Sequence, residues 1–275
     1  MSPVQAARYL ARTGDRLLPL SDGGDGFIEC LQHGLGGTIV ARQAADPLGR
    51  VREVPVLLLA DGTAVLECAK VIGLAELDRL DSRDRLDPLS ASSRGLGDLL
   101  AQFQDAPRIW LGLGGSATVD GGRDWPALTL PPTTVFCDVT TDLLDAAAIF
   151  GPQKGARPQD IPVLTQRLAS LGLPRGPRTG AAGGLGARLA WLGADLVDGA
   201  ENMLDVLDFA TACRGCDAVV TGEGCLDASS LEGKLPVVVA RKAHALGLPV
   251  IGHFGCKGEG WERAAGLFDR VAFET

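Results

Sequence analysis

Residues 217–234, DAVVTGEGCLDASSLEGK, concentrate the side chains of this chain best suited to chemistry. A β-branched run, Ala218-Val219-Val220, is predicted to end at a turn made by Thr221-Gly222-Glu223-Gly224, with Asp227, Ser229, Ser230 and Lys234 in the loop beyond. A lysine in such a loop can act as a point charge on phosphate. An acid there can accept a hydroxyl proton or hold a hard metal ion. The same grammar recurs at RIWLGLGGSATVDGG (108–122) and, more loosely, at LLPLSDGGDG (17–26). Open α/β sheets place ligands where strands release the backbone into such loops. Three of them, interleaved with Asp, Ser, Thr and Lys, predict one site for an anionic, phosphorylated ligand. The competing assignment for 221–234 is a solvated loop with Asp227 or Ser229 as a helix N-cap.

The elements that must position these loops follow from periodicity and punctuation. Residues 2–13 read as a helix, with Ser2 as N-cap and Pro3 at the first helical position. RLLPL (16–20) reads as a strand, followed by a glycine loop and a helix around 27–33. Residues 38–43, 51–59 and 63–69 form a strand meander with turns at Asp46-Pro47-Leu48-Gly49 and Asp61-Gly62. That meander interrupts the α/β alternation, as an inserted mixed unit would. After a charged connector (76–88) come a helix near 95–104, strand 108–112 and strand 134–139, with Pro126, Pro131 and Pro132 excluding a long helix between those strands. A glycine cluster at 179–193 opens an apolar helix, and from 217 the order is strand, loop, helix (235–246), strand (248–252).

Composition narrows the classes. Glycine, 37 of 275 residues, is about twice its usual share of roughly 7% and clusters in loops without a Gly-X-Y period. A net charge of −8, no Lys/Arg cluster and 5% aromatic residues argue against nucleic-acid binding. The longest stretch without Asp, Glu, Lys or Arg, Ala243–Cys256, is broken by Gly, Pro and two His, so no transmembrane helix is expected. Seven scattered cysteines predict reduced thiols and a cytoplasmic location. Cys213-x-x-Cys216 lacks the second pair or spaced histidines that zinc would require. His33, His244 and His253 lie in three separate elements and read as surface or core residues.

Gly112-Leu113-Gly114-Gly115-Ser116-Ala117 matches the dinucleotide fingerprint Gly-x-Gly-x-x-Ala, with Asp138 about 20 residues on, which makes an NAD-dependent dehydrogenase a competitor. The fingerprint needs a helix leaving the loop, and the prolines remove it. A Walker A loop is absent: Gly233-Lys234 would need Gly at 228 and Ser or Thr at 235, where Ala and Leu stand.

The ordered segments SDGGDG (21–26), DPLSASSRGLGDLL (87–100), GLGGSATVDGG (112–122), CDV (137–139), FGPQKGA (150–156), GAAGGLGA (180–187) and VVTGEGCLDASSLEGKLPVVVAR (219–241) together resemble the glycerate kinase family. The likeness is to its type with two unequal α/β domains and covers roughly residues 2–256. It implies phosphorylation of D-glycerate by ATP with Mg²⁺, at the 2-hydroxyl to give 2-phosphoglycerate. It also implies a Rossmann-like parallel-sheet domain with a second, inserted mixed α/β domain, the active site lying in the cleft between them. The corresponding boundaries are 1–36, 90–124 and 205–275 for the first domain, and 37–89 and 125–204 for the second. A homodimer is compatible with this reading.

Departures from the family pattern accompany the likeness. The strand and APDSFKGS-like segment that usually precede the first helix are missing, which marks the chain as an N-terminally shortened member. Cys225 replaces the usual Arg, Ser229-Ser230 a Gln-Thr pair, and Thr140-Thr141-Asp142 an Asn-Pro. These motivate an alternative: a catalytically lapsed relative that binds ligand without turnover. For an active enzyme, Asp227 is expected to orient or deprotonate the glycerate hydroxyl and Lys234 to contact phosphate. Asp138 and Glu223 are expected to ligate Mg²⁺. Asp22, Gly23, Gly24, Gly114, Gly115, Ser116, Thr118, Gly183, Gly184, Thr221, Gly222 and Gly224 are expected to line the substrate and phosphate positions.

Overall fold

In the computed structural model, which describes residues 1–79 and 87–274, the chain divides into two units, Gly23–Gly199 and Met1–Asp22 with Ala200–Thr275. The class is α/β, as expected.

The larger unit is built on a six-stranded sheet whose spatial order is its chain order: β1 (Thr38–Ala45), β2 (Val51–Leu58), β3 (Ala64–Glu67), β4 (Ile109–Gly112), β5 (Thr133–Cys137) and β6 (Asp195–Asp198). β1 to β3 pair antiparallel and β3 to β6 parallel. The antiparallel turns follow from the predicted punctuation. Asp46 Oδ1 accepts the N–H groups of Leu48 and Arg50 at 2.9 and 3.0 Å, and Asp61 Oδ1 accepts that of Thr63 at 2.9 Å. Such side-chain acceptance from the backbone two residues on is what selects Asp for a turn. Pro55 lies inside β2, yet β3 pairs only with Leu57 and Leu58, so the proline falls outside the doubly paired part of the strand.

One core in this unit joins Val54, Val56, Leu66, Ile109 and Leu111 of the strands to Leu96 and Leu99 of the helix Arg94–Ala101 and Leu185 and Leu189 of the helix Ala181–Trp191. A second cluster gathers Val119, Leu143, Leu164, Leu168 and Ala187.

The smaller unit carries three parallel strands, β7 (Val219–Leu226), β8 (Val250–Lys257) and β9 (Arg270–Phe273). The helix Leu235–Ala245 links β7 to β8 and buries Val237, Val238 and Val239 against Leu226, Val250 and Phe254. Its first helix, Pro3–Leu10, has the predicted Ser2 cap, closed by Gln5 into a reciprocal capping box.

Two expectations are corrected. RLLPL is not a strand: residues 16–20 carry no ladder, Pro19 lacks an N–H to give one, and Leu18 and Leu20 instead pack on the smaller unit's core. Thr221-Gly222-Glu223-Gly224 is not a turn but the middle of β7, paired in register with Gly252, His253 and Phe254. Segments 23–36 and 90–124 belong to the larger unit, because β4 hydrogen-bonds to β3 and β5 in one sheet. Most of the charged connector, 80–86, lies outside the described residues.

Candidate active site

In the larger unit the parallel strands β4 and β5 deliver the chain into loops that meet one another. Gly114 N–H donates to Gly23 O at 2.9 Å, and Leu113 N–H to Phe136 O at 2.9 Å. Gly23 has φ +100°, and a Cβ there would overlap the Phe136 carbonyl, so only glycine fits. The loop is also anchored on the far side of β3: Leu74 N–H donates to Gly115 O at 2.9 Å and Ala117 N–H to Ile72 O at 2.8 Å. The expected glycine loops at 23–26 and 112–118 are therefore neighbours.

The GAAGGLGA segment joins them. Ala182, Gly183 and Gly184 are consecutively left-handed, with φ of 51°, 69° and 93°, before the helix proper begins. Gly183 O accepts the Gly121 N–H at 3.1 Å, and a Cβ on Gly183 would overlap the Thr118 carbonyl.

These loops border a cavity of about 300 Å³ whose lining includes Asp25, Gly114, Gly115, Ser116, Asp138 and Lys154. Lys154 sits at the end of the short 3₁₀ turn Pro152–Lys154 and is 3% exposed. Its Nζ donates to Ser116 Oγ at 2.8 Å and Thr118 O at 2.9 Å. No ion pair to Lys154 is present among the described residues. Burial pulls its pKa down to about 8, against the opposing pull of Cys68, Asp120 and Asp138. A buried ammonium held by neutral oxygens has unspent electrostatic capacity for an incoming anion. Thr118 Oγ1 is buried without a partner in the same loop.

Two buried carboxylates brace this floor. Glu67, at the end of β3, accepts the N–H groups of Gly26 and Ile28, each at 3.0 Å, and so caps the helix Phe27–Leu35. Burial raises its pKa despite those bonds. Asp120 accepts Ser93 N–H at 2.7 Å and Ser93 Oγ–H at 2.9 Å, and burial raises its pKa too.

In the smaller unit, the acids predicted for chemistry form a second cluster. Asp227 caps the 3₁₀ turn Ala228–Glu232, accepting Ser230 N–H at 3.1 Å and Ser229 Oγ–H at 2.5 Å. Lys234 Nζ stands 3.2 Å from Asp227 and 4.0 Å from Glu223. Ser230 Oγ donates to Glu223 Oε1 at 2.9 Å. The Ser229 bond, then Lys234, holds the Asp227 carboxyl below its usual range, whereas burial raises that of Glu223.

Of the predicted residues, Gly23, Gly24, Gly114, Gly115, Ser116, Thr118, Asp138, Gly183 and Gly184 belong to the larger unit, and Asp22, Thr221, Gly222, Glu223, Gly224, Asp227 and Lys234 to the smaller. Lys154, Glu67, Asp120 and Asp25 carried no assigned role. FGPQKGA did contain Lys154, and the signal was a lone lysine between glycines in a segment that is otherwise uncharged.

No helix leaves the loop at 112–117, which runs through turns to β5, so the dinucleotide fingerprint lacks the helix N-terminus it requires. The family model described as "Glycerate kinase family" matches residues 5–125 and 126–271. The chain belongs to the glycerate kinase family.

A glycerate kinase of Halalkalibacterium halodurans is 32% identical over 95% of this chain and 84% of its own length. The glycerate 2-kinase of Escherichia coli K12 is 33% identical over 86% of this chain and 75% of its own. A crystal structure of a candidate glycerate kinase 2 from Salmonella typhimurium LT2 superposes with a TM-score of 0.75 at 31% identity, covering 98% of this chain and 84% of that one.

Among the described residues no group of three or more His, Cys, Asp or Glu could hold a metal ion, and no helix is long and apolar enough to cross a membrane.

Proposed function

We propose that this protein transfers the terminal phosphoryl group of ATP to the 2-hydroxyl of D-glycerate, giving 2-phosphoglycerate. The observation that carries the reading is Lys154, a buried cation without a carboxylate partner on a cavity walled by glycine loops, in a chain of the glycerate kinase family.

Phosphoryl transfer asks little covalent chemistry of the protein; it asks for alignment and for neutralisation of spreading negative charge. Lys154 supplies charge at a fixed point, because Ser116 and Thr118 hold its ammonium from two sides. Close backbone approach at Gly114 and Gly115 leaves room for an anion beside that charge. Mg²⁺ is commonly held by one or two carboxylates plus substrate phosphates, so the lack of a three-carboxylate cluster is no obstacle. Asp138, with Asp25 on the same cavity, offers the hard oxygen donors; in the smaller unit, Glu223 is likewise proposed as a metal ligand. Bound there, the ion would neutralise charge on the phosphates. Asp227 orients the glycerate hydroxyl as hydrogen-bond acceptor. A lowered pKa suits an acceptor more than a strong base, and a loose transition state needs only the former. Lys234 is proposed as a phosphate contact. Seven free thiols agree with a cytoplasmic setting.

A coupled ADP-release assay with D-glycerate, followed by ³¹P NMR of the product, tests the proposal. Glycerate-dependent ADP release with 2-phosphoglycerate as product is expected. Accumulation of 3-phosphoglycerate would reverse the regiochemistry, and absence of turnover would reject the activity.

A further inference from the structure

Cys225 of β7 and Cys256 of β8 are direct partners across the parallel ladder. Neighbouring strands lie about 4.8 Å apart, within the Cα separation of about 4.4–6.8 Å that a disulfide bridges. Both thiols are free, Cys256 exposed and Cys225 half-buried.

The pair also sits where β7 hands the chain to the acid cluster. Gly258 N–H donates to Leu226 O at 2.7 Å, and Ala228 N–H to Glu259 O at 2.9 Å. These bonds tie the chain just past Cys256 to both sides of Asp227. Gly258 lies so near that a Cβ there would stand 3.3 Å from Cys225 Sγ. Any change in β7–β8 spacing at this level is passed to the turn capped by Asp227.

We infer that Cys225 and Cys256 form a redox-responsive dithiol, which a low-molecular-weight disulfide such as oxidised glutathione closes into an intramolecular bridge that displaces the Asp227 turn. Exposed Cys256 reacts first, as thiolate, on one sulfur of oxidised glutathione, forming a mixed disulfide and expelling one glutathione thiolate. Cys225 next loses its proton and attacks the Cys256 sulfur, expelling the second glutathione thiolate. Two protein thiols are oxidised, one glutathione disulfide is reduced to two thiols, and the two protons end on the glutathiones. Closing the bridge fixes the Cβ atoms at about 3.8 Å and so locks β7 and β8 to one geometry at this level. A bridge with an exposed sulfur is readily reduced, as a reversible switch requires.

The effect on turnover rests on the kinase reading above; the cross-link does not. Full-length protein is titrated across ratios of oxidised to reduced glutathione, alkylated, digested and mapped by mass spectrometry. Amide exchange at 226–230 and ADP release are read in parallel. A linked Cys225–Cys256 peptide, reversed by dithiothreitol, is expected, with altered exchange at 226–230 and turnover reduced about tenfold. Cys256→Ser should keep basal turnover, form no link and ignore the oxidant. The inference is overturned if no linked peptide forms at oxidising ratios, or if Cys256→Ser loses turnover as the wild type does. It is equally overturned if the link forms while exchange and turnover stay unchanged. Should the reduced protein show no turnover at all, the kinase reading fails, and peptide mapping with amide exchange decides the switch alone.

Discussion

Lys154 and Lys234 each stand among residues suited to binding anions, one in each unit, and their surroundings differ in kind. Lys154 is 3% exposed, is held by a hydroxyl and a carbonyl, and has its pKa drawn down to about 8 by burial. The Lys234 side chain is 36% exposed, with Asp227 at 3.2 Å and Glu223 at 4.0 Å. The first cation is buried without an ion pair among the described residues; the second stands beside two carboxylates. A charge that must act on a ligand is most effective where water and counter-charges are excluded. The larger unit's loop floor therefore keeps more electrostatic capacity for an incoming anion than the smaller unit's cluster does.

Mutation can break that contrast. Lys154→Ala should have the largest effect, lowering kcat/KM about 10²–10³-fold in the ADP-release assay, as loss of a preorganised charge donor does. Lys234→Ala measured beside it should fall much less, and equal losses would erase the distinction. Asp227→Asn should lower kcat about 10²-fold while the urea midpoint barely moves, since Asn caps a turn as well as Asp. Turnover near wild type would remove Asp227 from the chemistry.

Stability sharpens it further. Glu67→Gln replaces a buried carboxylate that accepts two N–H groups by an amide that can accept them less well, and should cost about 1–3 kcal/mol in chemical denaturation. The pH dependence of Lys154 has a definite sign. Its folded pKa, about 8, lies below the ordinary 10.5, so between these values the unfolded chain binds the extra proton. Wild type should thus gain stability relative to Lys154→Met as pH rises from 8 towards 10.5, by at most about 1.4 kcal/mol per pH unit. A flat difference would mean that the ammonium is not buried as described. Least of all, Ala182→Gly should stabilise the larger unit by about 0.5–1 kcal/mol, by relieving a left-handed alanine beside two left-handed glycines.

Local chemistry made part of this legible in advance. The meander β1–β3 was readable because Asp46 and Asp61 punctuate alternating strands, and the Ser2 cap because Gln5 follows at the right spacing. β6, with aspartate at both ends, has no apolar run to announce it; its pairing with β5 is tertiary. Glycine misled at 221–224, where its small size serves close strand approach: a Cβ on Gly222 would overlap the His253 carbonyl. Within the site, the glycine loops were readable, but Lys154 and Glu67 were not. Their roles come from burial, which no residue type declares by itself.

The smaller unit is assembled from both ends of the chain. Arg16 donates to the carbonyls of Ala212 and Arg214 at 3.2 and 2.8 Å, and Leu18 and Leu20 pack on a core of residues beyond 200. The larger unit is one continuous run, Gly23–Gly199. During synthesis on the ribosome, the run Gly23–Gly199 therefore emerges before the segment from Ala200 can join residues 1–22. Closing so long a loop adds entropy that grows only slowly with length, yet it fixes the order of events: the discontinuous unit matures last.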